Sequence, residues 1–196
     1  GGAGADSLFG GSDAAYDYLY GASGNDTLVS GIGTSNYSYL YGGDDNDLLD
    51  ASAATGYEYL QGDNGDDTLI GGAVTGYGYL YGGSGNDSID GSAGFAGTQI
   101  QGNAGNDTIS LGAGQDQAIG GYGSDTIMHV SGEAVMIGDD GTIVSDAGGR
   151  ATVSYTGNPH IGGNDTIIGG SDRDVMFGGA GADDLIGNDG NDIIIG

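Results

Sequence analysis

The sequence has no cysteine, no tryptophan and no lysine, a single proline, and only two arginines, Arg150 and Arg173, against 28 acidic residues. Without cysteine, disulfides cannot staple the fold, and the redox compartment stays undecided. Without a basic footprint, nucleic acid and anionic membrane surfaces are excluded as partners. At a formal net charge of −26, cations are the natural partners instead. Apolar residues are scattered, so no run reaches membrane-spanning length, no membrane insertion is expected, and a conventional globular core is not expected either. No signal peptide opens the chain, which starts at Gly1 without Met, and it is expected to be a piece of something longer.

What is abundant is glycine, 47 residues of it, together with aspartate. High charge and thin apolar content border on the disordered class. Order in the spacing argues against disorder. "GNDTLVSG" at 24–31 returns as "GDDTLIGG" at 65–72, "GNDSIDGS" at 85–92 and "GNDTISLG" at 105–112. The acids Asp6, Asp26, Asp47, Asp67, Asp87 and Asp107 recur at a near-constant interval, each two positions before an apolar residue, from Leu8 to Ile109. Midway between them lies a second strand signal: "YDYLY" at 16–20, "YSYLY" at 37–41, "YEYLQ" at 57–61, "YGYLY" at 77–81 and "GTQIQ" at 97–101. After Ser110 the beat is halved to a nonapeptide: Asp116 and Asp125, then Asp165, Asp174, Asp183 and Asp192.

The unit reads G-G-x-G-x-D-x-U-x, where U is apolar. The hexad is complete at 1–6, 82–87, 120–125 and 178–183, and nearly so at 21–26, 62–67, 102–107 and 187–192. Asp45 and Asp172 replace the glycine at its fourth position, which Asp tolerates because it visits left-handed backbone angles. Leu111 opens its unit in place of Gly, which puts the Asp116 turn in question. In these residues the chain resembles the RTX family, the nonapeptide calcium-binding repeats of secreted bacterial proteins, over most of its length except 129–161.

The spacing predicts an all-β fold, a right-handed parallel β-roll or β-solenoid with two facing sheets. The longer coils, each the step from Asp67 to Asp87, come first; shorter coils made of two nonapeptides follow, and one hairpin-like insertion interrupts them. The expected divisions are a roll over 1–128, an irregular segment with a projecting hairpin over 129–161, and a continuation of the roll over 162–196. Each coil should give the core only a pair of residues such as Leu28 and Leu40.

Stacked turns bring their aspartates roughly 5 Å apart, where bare carboxylates repel by about 3 kcal/mol at an effective dielectric of 20. A column of Asp6, Asp26, Asp47, Asp67, Asp87, Asp107 and Asp125 should therefore need a hard divalent cation between turns. Asp165 with Asp183, and Asp174 with Asp192, add two further gaps, for about eight calcium ions. The resemblance implies that each ion is also held by carbonyls of the Gly-rich stretch: Gly1, Ala3 and Gly4; Gly21, Ser23 and Gly24; Gly42 and Asp44; Gly62, Asn64 and Gly65; Gly82, Ser84 and Gly85; Gly102, Ala104 and Gly105. The turns on the opposite edge, from "GGSDAA" to "GSAGFA", show no acid in register, and no ion is expected there over 1–110. The extra length of the longer coils should form a wider turn closed by hydrogen bonds.

Strand alternation puts Leu19, Leu40, Leu60, Leu80 and Ile100 inside and the tyrosines outside. Tyr18, Tyr39, Tyr59 and Tyr79, with Tyr20, Tyr41 and Tyr81, then form an outer ladder. It either stabilises the sheet through cross-strand aromatic pairs or serves as a contact face for another subunit, another segment or a glycan. "GTIVSDAGGRATVSY" at 141–155 reads as the hairpin. Asp139, Asp140 and Asp146 are expected to face water, with cation binding as the alternative. His129 and His160 fit no nucleophile pattern and are expected at surface or turn positions; no active site is expected, so the chain is read as a non-enzyme.

The function expected is a calcium-dependent structural or adhesive segment of a large secreted or cell-surface protein. It would fold on calcium binding, with assembly through the Tyr face or the solenoid ends into a filament or surface layer. The resemblance implies bacterial type I secretion. Two alternatives stand: the RTX tail of a secreted protease, lipase or alginate epimerase, and an ice-binding solenoid. The second needs a rank of outward Thr, whereas the third motif position runs Ala3, Ser23, Asp44, Asn64, Ser84, Ala104.

Overall fold

The computed structural model describes residues 1–12, 16–32, 37–73, 75–94, 97–145, 151–154 and 162–196. Among these there is no helix; apart from one two-stranded antiparallel pair, the strands alternate between two nine-stranded parallel sheets. Short strands make the first sheet: Ser7–Phe9, Thr27–Val29, Leu48–Asp50, Thr68–Ile70, Ser88–Gly91, Thr108–Leu111, Thr126–Met128, Thr166–Ile168 and Asp184–Ile186. The second sheet holds Tyr16–Ser23, Tyr37–Asp44, Tyr57–Asn64, Gly78–Ser84, Thr98–Ala104, Ala113–Tyr122, Ser131–Ile137, Val175–Phe177 and Ile193–Ile195. Each strand pairs with its equivalent one coil away, because every coil returns the chain in the same direction. The fold is the parallel β-solenoid expected from the repeat.

Register stacks the apolar residues of the motif in files. One runs Leu8, Leu28, Leu49, Leu69, Ile89, Ile109, Ile127, Ile167, Leu185. The other runs Leu19, Leu40, Leu60, Leu80, Ile100, Ala118, Met136, Met176, Ile194. The interior members of both files, such as Leu28, Leu40, Leu69 and Leu80, are fully buried and form one continuous core. That core is about two side chains wide, so the coils need other ties along the stack.

The outer face of the long-strand sheet carries the tyrosines. Tyr18 stacks on Tyr39 with centroids 4.7 Å apart and planes within 7°, and Tyr20 on Tyr41 at 4.8 Å and 3°. This spacing is that of the strands themselves. The stack tilts further along: Tyr59 and Tyr81 lie 5.4 Å apart at 45°. Because the first rings cover one another face to face, they turn edges and hydroxyls outward. Where glutamine replaces tyrosine, Tyr59 Oη donates to Gln61 Oε1 (2.9 Å), and the Gln61 amide donates to Asp63.

The insertion leaves the stack intact. Thr126–Met128 pairs directly with Thr166–Ile168, and Val135–Ile137 with Val175–Phe177. Thr142–Ser145 and Ala151–Ser154 form the expected antiparallel hairpin. It does not simply project. Ile119, Val135 and Ile137 alternate with the inward Ala118 and Met136, so they face outward, yet all three are buried. Gly141, Thr142 and Ile143 enclose a cavity of about 110 Å³ with Gln99, Gln117 and Ile119, which places the base of the hairpin over this outer face. Asp146 and His160 lie outside the described residues.

Candidate metal rim

The turn from each long strand to the following short strand carries the hexad. Its fourth residue adopts a left-handed angle in coil after coil: Gly24 (φ 107°), Gly65 (132°), Gly85 (129°) and Gly105 (143°), with Asp45 doing the same at 74°. Asp172, in the equivalent place, has no positive φ, so the tolerance expected of aspartate is used at Asp45 alone of the two. Close approach adds to the angle: a Cβ on Gly105 would run into the carbonyl oxygen of Gly85. The fourth-position carbonyls thus point up the stack at the next turn.

The motif aspartates tie each coil to the next. Main-chain N–H groups of Asp6, Asp26, Asp47, Asp67, Asp87, Asp107 and Asp125 donate to Oδ1 of Asp26, Asp47, Asp67, Asp87, Asp107, Asp125 and Asp165, all at 2.7–2.8 Å. Asp165 continues to Asp183 at 3.1 Å. The column therefore does not stop at Asp125, as the sequence spacing suggests. It crosses the insertion and holds nine aspartates with eight gaps on one rim.

The second oxygen has no such partner. Oδ2 of Asp26, Asp47, Asp67, Asp87, Asp107, Asp125 and Asp165 is buried and accepts no hydrogen bond. Each lies beside the first glycine of its own turn and the carbonyl of the first glycine one coil on. The place a Cβ of Gly62 would fill adjoins Asp67 Oδ2 and lies 2.6 Å from Gly82 O; at Gly102 it adjoins Asp107 Oδ2, 2.6 Å from Gly120 O. The gap is thus an oxygen-lined cradle too narrow for a side chain. Of the carbonyls expected to face ions, those at the first position line this gap, and those at the fourth point at the fourth residue of the next turn. Third-position carbonyls of Ser23, Asp44, Ser84 and Ala104 already accept N–H bonds from Gly4, Gly24, Gly65 and Gly85.

Burial makes this arrangement costly without a counterion. It pushes Asp47, Asp67, Asp107 and Asp165 up to about 6 and Asp87 and Asp125 to about 7, partly offset by the N–H bond each accepts. In Asp47, Asp67, Asp87 and Asp125 the neighbouring aspartates add to the rise. Among the described residues no three His, Cys, Asp or Glu side chains converge on one point. What each gap offers is a pair of carboxylates and main-chain oxygens, a hard all-oxygen donor set that suits calcium.

A second ladder beside the first escapes the sequence reading. Asn46 Oδ1 accepts the N–H of Asp66, Asp66 Oδ1 that of Asn86, Asn86 Oδ1 that of Asn106, and Asn106 Oδ1 that of Ser124, at 2.6–2.9 Å. Its bonds run the opposite way, from the later coil's N–H to the earlier coil's side chain. The signal was the Asn or Asp directly before six of the nine aspartates of the column.

The opposite rim also departs from expectation. Asp17 and Glu58, which the sequence reading leaves inside the strands, stand two positions before Leu19 and Leu60, in register and buried. Their partners differ from those of the first rim. Asp17 accepts from Gly11 N (3.1 Å) and Gly31 N (2.9 Å), and Glu58 from Gly72 N (2.8 Å), with burial raising Glu58 to about 7. Further along, Asp116 is firmly in register, its Oδ1 accepting from Thr98 N at 2.7 Å. Asp174 accepts from Ala134 N and Gly170 N, and its own N–H donates to Asp192 Oδ1 at 3.0 Å.

Two more groups are not where the sequence puts them. His129 is buried, not at the surface, between Asp174 (3.0 Å) and Asp116 (4.0 Å). Burial alone would lower its pKa, but the two carboxylates outweigh that and raise it. Asp139 is fully buried instead of facing water; it accepts from Gly163 N (3.1 Å) and Ala180 N, tying the chain's departure into the insertion to its return.

No curated protein and no solved structure matches the chain. A family model does, described as the RTX calcium-binding nonapeptide repeat, over residues 1–37, 32–57, 53–73, 79–95, 98–128 and 161–194. Repeats of this kind bind calcium and are typical of bacterial secreted proteins. With well over half of its length matched, and with the hexad turns stacked as described, the chain belongs to the family of RTX calcium-binding repeats.

Proposed function

We propose that the chain is a calcium-dependent structural roll within a large secreted or cell-surface protein, loose without the ion and locked into a rigid solenoid with it. The observation that carries this reading is the file of seven buried Oδ2 atoms with no partner, each beside inward-turned carbonyls. Asp6, Asp26, Asp47, Asp67, Asp87, Asp107, Asp125, Asp165 and Asp183 would hold the ions, with first-position carbonyls. One ion per gap makes about eight on this rim, and lowers the formal charge of −26 to about −10. Asp174 and Asp192 offer one further gap on the other rim. The ion supplies the charge that the thin core cannot offset, so binding and folding are one event. Extracellular modules bind calcium at about 0.1–1 mM, a level found outside cells, so export precedes folding.

The tyrosine ladder supports the same structural role. Its ring faces are spent on one another, which favours sheet stabilisation; the outward edges and hydroxyls are what a neighbouring subunit would meet.

Circular dichroism and calorimetry on the full chain, first in chelator and then titrated with calcium, test the reading. The expected result is gain of β signal coupled to uptake of about eight ions. A chelated chain that keeps its β signal, or a chain that takes up no calcium, overturns it.

A further inference from the structure

On the second rim the column of acids has a gap. Register sets Asp116 beside Ala134, and Ala134 N–H donates to Asp174 Oδ1 in the coil after it, so a methyl group stands where its neighbours carry carboxylates. His129, in the turn after Thr126–Met128, fills the space with a ring that has no exposed surface. Its Nδ1 lies 3.0 Å from Asp174 Oδ1, close as an ion pair but poorly aligned as a hydrogen bond. Its Nε2 faces Asp116 Oδ2 at 4.0 Å; both atoms are buried and neither makes a well-formed hydrogen bond, with the main-chain N–H of Gly112 also turned toward the Asp116 carboxylate. The main chain of Ser131 also faces the ring.

A separation of 4.0 Å is too long for a hydrogen bond. Two ligands on a tetrahedral zinc stand about 3.4 Å apart, so the pair closes by roughly half an ångström to share one ion with bonds of about 2.0–2.2 Å. Charge points the same way. A protonated ring places one positive charge between Asp116 and Asp174, whereas a divalent ion on a neutral ring places two. An imidazole nitrogen disfavours calcium and magnesium and suits zinc and its neighbours in the first transition row. Asp174 stands behind Nδ1, where a carboxylate orients a metal-binding imidazole.

We propose that His129 Nε2 and Asp116 Oδ2 form a site for a transition-metal ion of the zinc class, distinct from the calcium rim, with Asp174 positioning the imidazole. No third His, Cys, Asp or Glu side chain reaches the same point among the described residues, so water or main-chain oxygen completes the shell.

The test uses the full chain in millimolar calcium, dialysed against zinc, with cobalt as the spectroscopic probe. One equivalent of zinc retained against calcium, a visible cobalt band, and loss of both in His129→Gln are expected. Crystals of the unaltered chain soaked in zinc should show an anomalous peak between Nε2 and Oδ2, which decides the matter if the variant does not fold. Zinc uptake that is equal in wild type and His129→Gln, zinc fully displaced by calcium, or no peak at that point overturns the site and leaves an imidazolium ion pair only.

Discussion

Oδ1 of Asp87 accepts the main-chain N–H of Asp67 at 2.8 Å, while Oδ2 of the same carboxylate is buried without a partner. One side chain therefore performs two separable tasks, a hydrogen bond along the stack and a charge held toward the gap. Asp87→Asn keeps an acceptor for the first and removes the second. It should lower calcium uptake by at least one ion and move the folding midpoint to higher calcium, measured by calorimetry and circular dichroism. Asp87→Ala should cost about 1–3 kcal/mol more, because it also orphans the Asp67 N–H. An Asn variant with undiminished calcium uptake would move the metal away from this rim.

Acidity should act in opposite directions on the free and loaded chain. Burial raises the rim carboxylates from 3.8 to about 6 or 7, so between those values and 3.8 the folded, calcium-free chain binds more protons than the unfolded one. Its stability therefore falls as pH rises through that window and is greatest at the acid end, near pH 4. In chelator, the β signal should be stronger at pH 5 than at pH 8. With calcium the order reverses, because protons compete for the same oxygens. A chelated chain equally structured at both values would contradict the raised carboxylates.

Glycine is required unevenly among the hexad turns. Gly105 has φ 143° and a Cβ there would strike Gly85 O, whereas a Cβ on Gly2 meets nothing nearer than Asp6 Oδ2 at 3.9 Å. Gly105→Ala should destabilise the calcium-loaded chain by about 1–3 kcal/mol or more, and Gly2→Ala should stay within about 0.5 kcal/mol. Thermal melts in saturating calcium compare the two directly.

Removing Tyr39 takes the middle ring from the Tyr18, Tyr39, Tyr59 stack. Tyr39→Ala should cost about 1 kcal/mol in the loaded state. Changing Tyr18, Tyr39, Tyr59 and Tyr79 to Ser separates the two roles of the ladder: a lower melting point with unchanged assembly, by light scattering, assigns it to sheet stability alone.

The solenoid, its two files of apolar residues and its aspartate column were legible because each depends on a fixed interval along the chain. Leu28 facing Leu40, and Asp67 above Asp87, follow from counting. The continuation from Asp125 to Asp165 was not countable: the insertion separates them, and only the pairing of Thr126 with Thr166 restores the step. Asp17 and Glu58 were overlooked, since the tyrosines around them drew the reading to the outer face while the carboxylates turn inward. His129 could not have been placed at all, because its neighbours Asp116 and Asp174 come from other strands, one before it in the chain and one beyond the insertion.

The two side-chain ladders on the rim run in opposite directions, one accepting from the coil before and the other from the coil after. Between two coils, both carboxylate and carboxamide bonds are made only if the chain climbs in one sense. A reversed coil would present N–H to N–H and oxygen to oxygen. The roll is in this way a polar rod, and any growth by adding coils, within one polypeptide or between several, would have to proceed head to tail.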